Sequence, residues 1–153
     1  MDYAKLDALI EARRDEFLKD LGRWLSVPSV QGAAEEGAPF GRENRRMLDL
    51  ALEDARRYGF ATRMFDGYAG DISMGNGEKT LGILCHLDVV GEGTGWTVTE
   101  PYAPKEVDGM LYGRGTDDDK GPVAAVLLAM KAVKELGVPL RRNARLLMGT
   151  DEE

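Results

Sequence analysis

Long helical patterns alternate with short apolar runs along this chain, and that alternation limits the fold more than any other feature. Leu6, Leu9, Ile10, Phe17, Leu21, Trp24 and Leu25 recur at three- and four-residue spacing, with Lys5, Arg13, Asp15, Lys19 and Arg23 on the other face. That pattern predicts one amphipathic helix over Tyr3–Leu25. Ser26-Val27-Pro28-Ser29 ends it, because proline disfavours helix in the residue before it. Gln31–Pro39, rich in Gly, Ala and Glu, reads as a surface loop. A second helix is expected over Arg42–Tyr58, with Met47, Leu48, Ala51, Leu52 and Ala55 on one side and Gly59 closing it. A third is expected over Lys120–Leu136, with Pro122 in its first turn and Gly137 just past its end. It is apolar over most of its girth, so it should pack inside the domain.

Strand-length runs fill the spaces between. Phe60–Phe65 is one. Ile72-Ser73-Met74 and Thr80–Leu84 flank Gly75-Asn76-Gly77, a turn sequence that predicts a hairpin because Asn and Gly tolerate positive φ. Leu81–Leu84 is nearly continuously apolar, as expected for a strand buried on both faces. Val107–Tyr112 holds a second hairpin-like turn at Asp108-Gly109, and Ala144–Met148 is a closing strand. Strands alternating with long helices predict an α/β domain whose largely parallel sheet is covered by helices. Ligand sites in such sheets lie at the C-terminal ends of strands. His86, Asp88, Glu152 and Glu153 all fall at such ends.

Charge and cysteine content exclude several classes of function. The chain has 153 residues, with 27 acidic against 20 basic side chains and a net charge of −7. That balance, without a long Lys/Arg run, argues against a grip on nucleic acid phosphates. Cys85 is the only cysteine, so no internal disulfide forms and nothing points to an oxidising compartment. The first five residues lack the features of a secretory leader, and no apolar run approaches the roughly 18–20 residues of a membrane span. A cytoplasmic protein without a membrane partner is the expectation.

Three short stretches carry the chemistry. His86-Leu87-Asp88 ends an apolar strand, and period-two alternation puts the imidazole and the carboxylate on one side. Asp88 is placed to hold the second ring nitrogen of a ligating imidazole. Taken alone, such a triplet equally describes a histidine beside a turn aspartate. Gly113-Arg114-Gly115-Thr116-Asp117-Asp118-Asp119-Lys120-Gly121 sets three carboxylates at the mouth of a helix, where the dipole favours anions. One of these aspartates could bridge two cations, although an acidic helix start without a ligand has the same sequence. Consecutive aspartates do not match the alternating ligands of a calcium-binding loop, and they would repel a phosphate. Asp151-Glu152-Glu153 after the closing strand gains meaning only in combination with the other two. Cys85 alternates with His86 and so points away from it, which reads as inert packing. A single histidine leaves no second base for a Ser-His-Asp or Cys-His hydrolase.

Leu84-Cys85-His86-Leu87-Asp88-Val89-Val90, Tyr112 to Pro122 and Thr150-Asp151-Glu152-Glu153 together resemble the di-zinc aminoacylase/carboxypeptidase family of metallopeptidases. The likeness is strongest to its dipeptidase branch, the peptidase V and Xaa-His dipeptidase (carnosinase-like) group. Trp24 to Val30 and Gly93-Thr94-Gly95-Trp96 support it. The resemblance implies a three-layer α/β/α, zinc-peptidase-like fold with a mostly parallel (mixed) sheet, incomplete at its C-terminus. It implies Zn²⁺ as cofactor, two ions in the complete enzyme, with Mn²⁺ or Co²⁺ as alternatives. His86 would be a ligand to one metal and Asp88 the carboxylate that orients it. Asp118, rather than Asp117 or Asp119, would bridge; Glu153 would bind the second metal and Glu152 would be the general base. The implied reaction is hydrolysis of a dipeptide, or of a short N-acyl amino acid, by a metal-bridging hydroxide. Residues 1–153 would be the N-terminal part of the catalytic domain, without the lid or dimerisation domain and the remaining ligands. Alone it would bind metal weakly, be nearly inactive, and associate through an unpaired sheet edge. A related amide hydrolase (carboxypeptidase, deacylase or desuccinylase) and a non-catalytic remnant or interaction module are the alternative readings.

Overall fold

A computed structural model describes residues 2–153; Met1, at the head of the stretch read for a leader, lies outside the described residues. The elements are α1 (Tyr3–Ala12), α2 (Arg14–Leu25), α3 (Arg42–Arg57), β1 (Ala61–Phe65), β2 (Ala69–Met74), β3 (Thr80–His86), β4 (Lys105–Val107), β5 (Met110–Tyr112), α4 (Lys120–Glu135) and β6 (Asn143–Gly149). The expected first helix is broken. Arg13 leaves helical geometry at φ −100°, ψ 1°, and its N–H reaches back only to Ile10 O at 3.0 Å. The break separates two different packing tasks. Helix α2 seats Leu21, Trp24 and Leu25 in the core, whereas α1 buries no residue and lies against α4. A surface pattern of apolar residues does not reveal such a change of direction.

The main sheet has the order β1-β2-β6-β3, and β4–β5 form a separate hairpin around Asp108-Gly109, as expected. The sheet is mixed, but parallel pairing is the minority: β3–β6 is parallel, while β1–β2 and β2–β6 are antiparallel. The hairpin expected across Gly75-Asn76-Gly77 does not form, because β6 inserts between β2 and β3. Gly75 still takes φ +91°, and Asn143 Nδ2 donates to Gly77 O at 2.8 Å, so the segment is a turn around the end of β6. A local turn signal cannot register a strand that arrives more than 60 residues later. Apolar Leu146 and Met148, fully buried, decide the insertion.

Cross-strand partners define two faces. Gly70, Ile72, Ile83, Cys85, Leu146 and Met148 share the face that packs on α2, α3 and α4. Gly70 must lack a side chain here, because a Cβ would lie 2.8 Å from Leu48 Cδ1. The opposite face holds Arg63, Asp71, Leu84, Arg145 and Leu147, and no helix covers it among the described residues. Of the three layers expected, these residues supply the sheet and one helical layer. β3 is therefore an edge strand open on one side, not a strand buried on both faces, and Leu84 is 80% exposed. Asp71 is fully buried on that face because Arg63 (2.8 Å) and Arg145 (2.6 Å) close over it. None of the described helices is long and apolar enough to cross a membrane.

Candidate metal centre

Parallel pairing brings the C-terminal ends of β3 and β6 to the same edge, with His86 opposite Gly149. Leu87 N donates to Gly149 O at 3.0 Å, which carries the ladder one residue further. Asp88 then lies beside the segment that leaves β6. It is 2% exposed, and its Oδ2 accepts the backbone N–H of Glu152 at 2.8 Å and of Glu153 at 3.0 Å. Thr150 fixes the same exit from below: its hydroxyl donates to Tyr68 O at 2.9 Å, and Asn44 Nδ2 donates to Thr150 O at 3.1 Å.

The third stretch arrives at the start of α4. Asp119 makes no side-chain cap of that helix among the described residues; its Oδ2 accepts from His86 N at 3.1 Å. That bond stitches the acidic loop to the end of β3. The Asp118–Asp119 peptide is cis. Asp118 projects outward, with 72% of its side chain exposed and Oδ1 at 2.9 Å from His86 Nε2. Gly121 makes the approach feasible: a Cβ there would lie 1.9 Å from Thr116 O.

His86, Asp118 and Glu153 thus offer one donor atom each within 4.8 Å of one another. These are the three residues named as ligands from sequence, and they come from segments more than 30 residues apart. His86 Nδ1 faces the Asp88 carbonyl at 3.2 Å, with the Asp88 carboxylate at 3.5 Å. A carbonyl only accepts, so in the neutral ring the proton sits on Nδ1 and the Nε2 lone pair faces Asp118. Asp88 therefore meets the imidazole through its backbone oxygen, with carboxylate Oδ1 near Nδ1 and Oδ2 taken by the Glu152 and Glu153 amides. Burial by itself lowers the His86 pKa, but the hydrogen bond to Asp118 and the charge of Asp88 raise it further, and the net shift is upward. A position that holds a proton between imidazole and carboxylate also suits a divalent cation, and a nitrogen-and-oxygen donor set is one that zinc accepts.

Glu152 Oε2 lies 3.9 Å from His86 Nε2 and opens into a cleft of about 630 Å³ over the bare sheet face, beside Leu84 and Leu147. Asp117 is exposed and takes no part. Cys85 sits on the core-facing side; burial, then the charge of Asp119, pushes its thiol up to about 11.

Lys120 was not singled out from sequence, since lysine is ordinarily a surface residue. It is fully buried, with Nζ donating to Val27 O at 2.7 Å and Trp24 O at 3.1 Å. Burial pushes the ammonium down to about 7, against the opposing pull of Asp88. Its place directly after Asp117-Asp118-Asp119 was the available signal.

Imidazole and carboxylates gathered at the strand ends of a mixed α/β sheet define an α/β protein with a donor set for a divalent cation. Residues 82–153 match the family model described as Peptidase family M20/M25/M40, and the likeness runs to the dipeptidase branch of that family. The chain is 39% identical over 143 residues to "Putative dipeptidase YtjP" of Bacillus subtilis (strain 168), covering 92% of this chain and 31% of that protein. A Staphylococcus aureus (strain USA300) protein with the same designation is 39% identical over 146 residues, covering 94% of this chain and 31% of its own length. Human carnosine dipeptidase 1 superposes with a TM-score of 0.81 at 28% identity, over 96% of this chain and 34% of that one. The yeast di-peptidase Dug1p from Saccharomyces cerevisiae shares the fold, with a TM-score of 0.80 at 19% identity over 97% of this chain and 34% of that one. The chain spans about a third of the length of these relatives.

Proposed function

We propose that these residues form one part of a zinc-dependent centre that hydrolyses dipeptides, in which His86, Asp118 and Glu153 hold metal. The observation that carries this reading is the convergence of their donor atoms within 4.8 Å, from three segments distant in sequence. Dipeptide as substrate follows from the designations of the relatives. When bound, zinc supplies a Lewis acid that polarises the scissile carbonyl and makes an attacking water more acidic. The chain's own groups do the rest. Glu152 takes the water's proton on its carboxylate and returns it to the leaving amine. Asp88 keeps His86 turned with Nε2 toward the site and fixes the backbone of Glu152 and Glu153. The cleft beside Leu84 and Leu147 admits the substrate.

Three donors are a set for one ion, and two of them are carboxylates on exposed side chains. Residues 1–153 are in this reading the N-terminal part of the catalytic domain, binding a cation weakly and hydrolysing little peptide by themselves. Isothermal titration of Zn²⁺ into the wild type, His86→Ala and Asp118→Ala tests the metal assignment. The wild type should bind, and each variant should lose about tenfold or more in affinity. Variants that bind like the wild type would refute the site.

A further inference from the structure

Resting on the metal-centre reading above, we propose that Lys120 is a positioning residue, which ties the two halves of the site to one shared strut, the segment Trp24–Ser29. The strut is held from both sides. On the β3 side, Ser29 Oγ donates to Leu87 O at 2.7 Å, and Val89 N donates to Ser29 O at 3.0 Å. Those two bonds flank Asp88 and begin one residue past His86. On the α4 side, Lys120 Nζ donates to Trp24 O and Val27 O at 3.1 and 2.7 Å. Lys120 is the first residue of α4, immediately after Asp118 and Asp119. Hence a single six-residue stretch, Trp24–Ser29, sets the distance between the imidazole and the carboxylate that face each other.

The choice of lysine follows from the place. Trp24 lies in the last turn of α2, a 12-residue helix whose last carbonyls carry partial negative charge, and Val27 lies two residues past its end. A donor-only head group on a long stem reaches them from the far side of the core, and no acceptor could. The stem itself is clamped. A Cβ on Gly115 would lie 3.1 Å from both Lys120 Cδ and Val89 Cγ1, so the stem lies against Gly115 in the loop before it, and Val89, which bonds Ser29, lies against the same glycine. Ser29, Asp88 and Lys120 are all buried to 2% exposure or less. No solvent-exposed joint separates the strut from His86 or from Asp119, which bonds His86 N directly.

The test uses Co²⁺ alone as the probe, titrated into the wild type, Lys120→Met, Ser29→Ala and the double variant. Its visible absorption reports the arrangement of the ligands. Urea curves on the same samples establish that each variant is folded under the titration conditions. Lys120→Met keeps the stem and removes the donors; it should weaken Co²⁺ binding by about tenfold to a hundredfold and alter the spectrum of the bound ion. Ser29→Ala should act in the same direction, and the double variant should lose less than the product of the two single losses. A lysine that merely stabilised the fold would lower the urea midpoint and leave the affinity and spectrum of the folded protein unchanged. That outcome overturns the positioning role while the metal centre stands. Should Lys120→Met fail to fold, Ser29→Ala decides: an unchanged affinity and spectrum refutes the strut. A wild type with no saturable Co²⁺ spectrum removes the metal reading itself, and the strut's purpose with it.

Discussion

Replacing Asp88 by alanine tests the build of the site most directly. Its Oδ2 accepts two backbone amides, Glu152 N at 2.8 Å and Glu153 N at 3.0 Å, and the side chain is almost fully buried. Hydrogen bonds to a charged acceptor contribute about 1.5–3 kcal/mol each, or about 3–6 kcal/mol for the pair. Two effects oppose that sum. Alanine removes the cost of keeping a carboxylate out of water, on the order of 1–3 kcal/mol, which is not fully met because Oδ1 finds no hydrogen-bond partner among the described residues. Glu152 and Glu153 are also exposed, so their freed amides are partly rehydrated. The net loss should be about 2–3 kcal/mol in urea unfolding. Asp88→Asn keeps a neutral acceptor for the amides and should lose about 1 kcal/mol. The same alanine variant should bind Zn²⁺ about tenfold to a hundredfold more weakly, because His86 and Glu153 both lose their support. A stability within about 0.5 kcal/mol of wild type, together with unchanged Zn²⁺ affinity, would show that Asp88 does not organise the site.

Three further outcomes follow from other parts of the molecule. Burial alone raises the pKa of Asp71, but the hydrogen bonds from Arg63 and Arg145 outweigh it and hold the carboxyl below its ordinary value. A depressed pKa contributes stability that is present above the unfolded value, near 4, and is lost as pH falls through the folded one. The difference in urea midpoint between wild type and Asp71→Asn should therefore shrink between about pH 5 and about pH 2; a constant difference would disprove the pairing. Gly121→Ala forces a Cβ to 1.9 Å from a backbone oxygen that cannot swing aside, and should cost about 3 kcal/mol or more by urea unfolding. An alanine variant as stable as wild type would mean that α4 does not approach Thr116 so closely. Cys85, with its thiol raised to about 11, should resist alkylation at neutral pH in the folded chain and react fully in denaturant. Rapid labelling without denaturant would place it outside the core.

Helices α3 and α4 and the β4–β5 turn were legible in the sequence because their determinants are local. Apolar spacing, a closing glycine and Asp108-Gly109 act within a few residues. The donors of the candidate site were named through the family resemblance: local pattern alone did not separate Asp118 from Asp117 and Asp119, or Glu153 from Asp151 and Glu152. Strand order was not legible. Gly75-Asn76-Gly77 looks the same whether its flanking strands pair with each other or both pair with β6, and only the burial of Ile72, Leu146 and Met148 under α3 and α4 decides between them. The edge position of β3 follows from that order, and so does the exposure of Leu84.

Residue types and their local spacing, then, set which groups this chain can bring to the candidate site. Tertiary structure alone sets where they meet. The parallel register of β3 and β6 puts His86 beside the exit toward Glu153, and Asp119 and Lys120 pull the acidic loop onto that edge. The physical reason is that pairing and burial act between segments distant in sequence, so their outcome depends on the whole core. A buried lysine shows it most clearly: only the carbonyls of Trp24 and Val27, brought within reach by packing, give its head group partners there.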